Sequence, residues 1–214
     1  MIKPSRWFAL LAATLLLPAA AAFAAELQAG RDYTPVEPPL YASKGKIEVV
    51  EFFSYACPHC NEFHPLLDAW AAKLPKDVVL RRVPITFHRL PWERLSRIYY
   101  ALDALGEAER LSGAVFKAIH EERANFNSDE AVVAWAVKNG LDGKKFGDVL
   151  ASFSVQSKVA QADQESGRAR IQGVPALVVD GRWLLVNQAA GTNAELIKRV
   201  DQLIDKARKE KKGR

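Results

Sequence analysis

Cys57 and Cys60 are the only two cysteines of the chain, held in "SYACPHCNEF" with Pro58 and His59 between them. Two thiols at that spacing allow three chemistries: a structural disulfide, part of a metal site, or a pair that cycles between dithiol and disulfide. A chain of this length can bury a large core without a staple. A bridge across so short a loop removes little entropy from the unfolded chain, so a purely structural role gains little. Cys57, Cys60, His59 and His64 are the right ligand types for zinc or copper, and a metal-binding module is the alternative from a different class. A CxxC at a helix start, however, directs His59 away from the two sulfurs. Thiol–disulfide exchange is the leading reading, and it depends on what makes one sulfur a good thiolate.

The surrounding elements answer that. "KIEVVEFFSY" (46–55) is rich in β-branched and aromatic residues and reads as a buried strand. After the pair, apolar residues recur at helical spacing: Phe63, Leu66, Leu67, Trp70, Ala71 and Leu74, with Pro65 expected to kink the helix. Cys57 is then expected in the N-cap region, with Pro58 at the first helical position, where a missing N–H does no harm. A Cys57 thiolate would face unpaired backbone N–H groups and the positive end of the helix dipole, aided by His59. Cys60, one turn deeper, is expected to be the less acidic, resolving thiol. Lowering the Cys57 pKa by three units favours the thiolate by about 4 kcal/mol. That gain is absent from the disulfide, so the pair becomes more oxidising by roughly 90 mV. Glu51, an acid inside the apolar strand, reads either as a salt-bridged or edge residue or as a buried carboxylate serving Cys60. Pro175, in "GVPALVV", is either an ordinary strand entry or a cis-proline that leaves the Val174 backbone free to pair with an extended peptide.

Further along, "DVVLRRVPITF" (77–87) reads as a second strand, and the chain is helical from Pro91 to about Gln172. Ser128 or Asn127 should cap one of these helices and Gly140 should end it. In "PALVVDGRWLLV" the pair Asp180–Gly181 between apolar runs is a strong hairpin signal. A last helix should start at Thr192, with Glu195 completing a capping box. The order strand, CxxC, helix, strand, helical block, hairpin, helix implies an α/β fold, a central mixed sheet flanked by helices with an inserted all-helical domain. The expected boundaries are 25–88 and 173–208 for the discontinuous sheet domain and 89–172 for the insertion.

The N-terminus bears on the compartment. Lys3 and Arg6, an apolar run from Trp7 to Leu17, Pro18 and Ala22-Phe23-Ala24 read as a signal peptide (1–24) removed on export, placing the mature protein in the periplasm. There disulfides persist. The formal charge of +5 is localised: the final "KARKEKKGR" holds six basic residues and one acidic. No basic surface interleaved with aromatics points to nucleic acid. The basic tail, 209–214, is expected to be a frayed, solvated end, and the lead-in "LQAGRDYTPVEPPLYASKG" to be irregular.

The combination of "EFFSYACPHCNEF", "GVPALVVDGRW" and the helical block between them resembles the DsbA family of periplasmic thiol:disulfide oxidoreductases, built on a thioredoxin fold. That family already exemplifies an acidic cysteine and a strong oxidant, so the potential estimated above is a consistency check and not an independent forecast. The resemblance implies Cys57 as nucleophile, Cys60 as resolving thiol, His59 as thiolate stabiliser behind Pro58, and Glu51 as buried acid. Val174 would receive substrate, and Pro175 would be the cis-proline facing the disulfide. It implies a monomer that needs no cofactor beyond its own disulfide and donates that disulfide to unfolded or partly folded exported proteins with free cysteines. A DsbB-type quinone-linked membrane oxidase would then reoxidise it. A reductase or isomerase is the alternative within the class. His64 and Pro65 stand where well-known members are acidic, a departure that should alter charge around the buried face.

Overall fold

The computed structural model describes residues 27–40, 45–186 and 190–212. The expected signal peptide therefore lies outside the described residues. Five strands form one sheet in the order β1–β5–β4–β2–β3. They are β1 (Thr34–Pro35), β2 (Ile47–Phe53), β3 (Val78–Pro84), β4 (Ala176–Val179) and β5 (Trp183–Val186). Strand β2 is buried along its whole length because both of its faces are covered. Its alternate residues divide cleanly. Ile47 and Val49 pack with Phe63 and Leu67 on one face, and Val50 and Phe52 with Ala162 and Ala169 on the other.

Helix α1 (Pro58–Ala71) links β2 to the parallel strand β3, the crossover that a parallel pair requires. It runs through Pro65 without interruption. Strands β4 and β5 form the expected hairpin. Asp180 and Gly181 have φ of 51° and 68°, the two positive values of the tight turn. A Cβ on Gly181 would lie 2.4 Å from the Leu40 carbonyl oxygen, so only glycine fits there.

Five helices separate β3 from β4: α2 (Leu90–Ala104), α3 (Ala108–His120), α4 (Asp129–Lys138), α5 (Gly143–Leu150) and α6 (Phe153–Arg168). Side chains of Ser128, Asp142 and Ser152 accept the amides of Ala131, Lys145 and Val155 and so fix three of their N-termini. Ile98, Leu102, Val115, Phe116, Val132, Phe146 and Leu150 form a core continuous with Tyr55, Cys57 and Cys60. The CxxC therefore sits where this helical core meets the sheet. Helix α6 leaves that core to lie on the sheet, tied by Arg81–Glu165 at 2.6 Å and by Thr86 Oγ1 donating to Asp163 at 2.6 Å. Helix α7 (Asn193–Lys212) covers the other face, with Thr192 capping it through the Glu195 amide at 3.1 Å.

Two expectations change. The lead-in read as irregular supplies β1, which pairs antiparallel with β5 and forms one edge of the sheet. The basic tail is not frayed over its first residues. Helix α7 continues to Lys212 because Lys211 donates to the Lys46 carbonyl and pairs with Asp180, each at 2.9 Å, while Glu210 pairs with Arg182. Among the described residues no helix is long and apolar enough to cross a membrane.

Candidate active site

Buried strand β2 delivers the chain at its carboxyl end into Ser54–Ala56. That turn is anchored at several points. The Cys57 amide donates to the Ser54 carbonyl at 3.0 Å, and the Ala56 amide to Ser54 Oγ at 3.2 Å. The Tyr55 hydroxyl meets Ser112 Oγ at 2.7 Å, and His120 Nε2 lies 2.8 Å from the Tyr55 carbonyl oxygen, so it donates there. Helix α3 thus grips the turn just before the cysteines. His120 holds the site's backbone through that contact.

Cys57 is the N-cap of α1 with Pro58 at N1, as the sequence predicts. It is 9% exposed and Cys60 is fully buried, so only one of the two dithiol sulfurs is within reach of a partner. The Cys57 thiol is pulled down from 9.0 to about 6. The largest cause is the Cys60 thiol donating to its sulfur, followed by opposition from burial; the backbone amides of Cys60 and His59 and then the His59 charge also lower it. The Cys60 thiol is pushed strongly upward, first by burial, then by its hydrogen bond and proximity to Cys57, with the Glu51 charge adding. His59 contributes least because its side chain is 71% exposed and its Nδ1 faces Glu62 Oε2 at 3.4 Å.

Behind Cys60 lies a chain of ionisable groups. Glu51 stands opposite Arg82 in the β2–β3 register and accepts its Nε–H at 3.0 Å. Arg82 also binds Asp68 of α1, and Asp68 Oδ2 lies 3.3 Å from His64 Nε2. Burial raises the Glu51 carboxyl to about 7 against the pull of Arg82. Burial lowers the His64 imidazole, against the charge of Asp68. His64 rests on Phe116 with ring centroids 5.0 Å apart. It faces α3 and does not join the sulfurs. Among the described residues no cluster of three or more His, Cys, Asp or Glu could hold a metal.

In front of Cys57, the Val174–Pro175 peptide is cis, and the Cys57 thiol donates to the Val174 carbonyl at 3.4 Å. From there a groove of about 950 Å³ runs between β1, the end of β5 and the chain after α6. The structure therefore brings Cys57, Pro58, His59, Cys60, Val174 and Pro175 together at one surface, with Glu51 beneath. Arg82, Asp68 and His120 were not picked out by sequence reasoning as site residues. Only Arg82 carries a usable signal, since aligning the two strands in parallel sets it against Glu51.

The family model of the DSBA-like thioredoxin domain matches residues 48–198. The chain belongs to that family. It is 43% identical over 203 residues to the thiol:disulfide interchange protein DsbA of Bordetella parapertussis, covering 94% of each chain. Over 189 residues it is 34% identical to the same-named protein of Pseudomonas aeruginosa, covering 88% of this chain and 89% of that one. The crystal structure of Pseudomonas aeruginosa DsbA superposes with a TM-score of 0.83 at 33% identity over 87% of this chain and 97% of that one. The oxidoreductase DsbA from Xylella fastidiosa gives 0.79 at 30% identity, covering 85% and 98%. The DsbA-type thioredoxin fold expected from the sequence is thus the observed one, and the chain is a thiol:disulfide oxidoreductase of the DsbA family.

Proposed function

We propose that Cys57 and Cys60 carry the exchange and that its direction is donation. A substrate thiolate attacks the Cys57 sulfur of the Cys57–Cys60 disulfide, because Cys60 is sealed from solvent. A substrate–Cys57 bond forms, and the Cys60 sulfur leaves with the electron pair. Its strongly raised pKa means that it takes up a proton at once. Glu51, poised at about 7, is half protonated near neutral pH and supplies it. A second substrate thiolate then attacks the substrate sulfur of the mixed disulfide and expels Cys57. The substrate loses two electrons and gains a disulfide, and the protein ends as the dithiol.

The observation that carries this reading is the unequal pair of sulfurs. The outer thiol is held near 6 and leaves as a stable anion, while the inner one is pushed up. Val174 and Pro175 would hold an extended substrate backbone against the outer sulfur. His59 adds a modest stabilising charge, and Pro58 starts the helix whose amides face the thiolate. The substrates would be exported proteins with free cysteines, met in the periplasm after removal of residues 1–24. Segments 25–88 and 173–208 would form the redox unit and 89–172 the inserted one. A DsbB-type quinone-linked membrane oxidase would restore the disulfide of a monomeric protein with no other cofactor.

Equilibration with glutathione tests the direction. The potential should lie well above that of an unperturbed dithiol, with a glutathione redox buffer converting the protein almost entirely to the dithiol. A strongly reducing potential would overturn donation and leave the reductase alternative.

A further inference from the structure

Resting on the donor reading, we infer that the groove beside Cys57 selects substrate segments with carboxylate side chains within about four residues of the reactive cysteine. The alternation along β5 turns Leu184 and Val186, both half-buried, toward this face. With Pro35, Val36 and Pro175 they give an apolar floor for an extended chain. The walls are charged unequally. Arg168 and Arg170 line one end, both exposed and without an acidic partner among the described residues, and Glu37 lines the β1 side. Two arginines against one carboxylate make cations predominate, and they sit at the α6 end.

Arg170 occupies an unusual place. It follows the Ala169 C-cap of α6, and its amide donates to the Gly167 carbonyl while that of Ile171 donates to Ser166, each at 3.0 Å. This helix-ending motif needs a left-handed residue and favours glycine. Arg170 has a φ of 54° there. Fold alone would be served better by glycine or asparagine. Arg168 in the last turn also complements the helix dipole, which accounts for one arginine but not for the second. Arg170 precedes Val174 by four residues, so their Cα atoms are at most about 14 Å apart. An extended peptide whose cysteine meets Cys57 beside Val174 comes alongside Arg170 within about four residues, and Arg168 lines the same end of the groove. A carboxylate there finds two unpartnered cations at the edge of an apolar groove, and neutral or basic side chains find none or repulsion.

The test uses short synthetic peptides with two cysteines that the disulfide form oxidises as it is reduced. A pair of glutamates, glutamines or lysines is placed within about four residues of the first cysteine. Two exposed charge pairs favour the glutamate peptide over the glutamine peptide by about fivefold in second-order rate at low salt, with the lysine peptide slower still. The ratio shrinks toward one as salt rises. Replacing both cations, Arg168→Gln with Arg170→Gly, should bring the ratio below about twofold, while Lys144→Gln, a remote charge change, leaves it intact. A melting curve of Arg170→Gly no lower than wild type shows that its cap is whole. Equal rates for glutamate and glutamine peptides, or a ratio that survives the double replacement, overturn the inference while the donor reading stands. Failure to oxidise even dithiothreitol overturns both.

Discussion

The two sides of the CxxC are built for opposite tasks. Behind Cys60, the β2–α1–β3 crossover packs Glu51, Arg82, Asp68 and His64 into a connected set whose inner end is dry. In front of Cys57, no described element covers the sheet edge, and its arginines have no acidic partner among the described residues. Burial does the tuning on the inner side: it pushes up Cys60 and Glu51 and lowers His64. On the outer side the neighbouring Cys60 thiol, and after it the amides of the helix N-terminus, lower Cys57 against its partial burial. A redox pair with unequal sulfurs thus needs no special residue at the sulfurs themselves. It needs one face closed and one face open.

The sharpest way to break the comparison is to remove each sulfur separately. Cys57→Ser should abolish exchange. Cys60→Ser cannot form the internal disulfide and should not oxidise a dithiol, but its Cys57 thiolate should attack a substrate disulfide, release one substrate thiolate and stay trapped as a mixed disulfide, visible on non-reducing gels. Equal loss without trapping would show that the two sulfurs are not divided between attack and resolution.

Next in size is Arg82→Met, which leaves Glu51 buried without its partner. The expected loss is about 4 kcal/mol at pH 8. It should shrink toward pH 5, where Glu51 takes up a proton. Denaturant unfolding at the two pH values measures this, and a loss independent of pH would remove Glu51 from the explanation.

Glu51→Gln sharpens the same side. The folded-state carboxyl lies near 7, above its ordinary 4.5, so the folded protein holds the proton more tightly. That stabilisation is complete below pH 4.5 and is lost as pH rises to about 7. Relative to wild type, the variant should therefore gain up to about 3 kcal/mol across that window and no more above it. The disulfide form is the one to melt, since neither sulfur titrates there. The smallest effect is expected from His59→Ala. It should raise the Cys57 pKa by less than Cys60→Ala does, because the Cys60 hydrogen bond is the largest cause and the His59 charge the smallest. Ultraviolet titration of the thiolate decides the order.

How much of this was legible follows from the range of each signal. The Asp180–Gly181 turn, the Ser128 and Thr192 caps and the Cys57–Pro58 helix start are local, and each holds in the structure. Strand β1 is two residues ending in proline, too short to show a period, and it exists only because β5 offers it an edge. Arg81 and Arg82 are adjacent in β3, yet the pleat sends Arg81 to Glu48 and Glu165 and Arg82 to Glu51 and Asp68 on the opposite face. The lysines near the C-terminus read as a solvated end, because their partners Asp180 and Lys46 are remote in sequence. Likewise, nothing local marks Arg170 as left-handed: its conformation is set by how α6 ends. What escaped the sequence is long-range pairing of charge, which needs register and faces to be known first.

The unequal sulfurs are tested most directly by melting the dithiol and disulfide forms side by side across pH. With a folded Cys57 pKa near 6 against an ordinary 9.0, the thiolate stabilises the folded dithiol fully above pH 9 and loses that effect as pH falls through 6. The dithiol should therefore melt above the disulfide form at pH 7, by a margin that widens toward pH 9 and fades below pH 6. A disulfide form that melts higher throughout that range would contradict it.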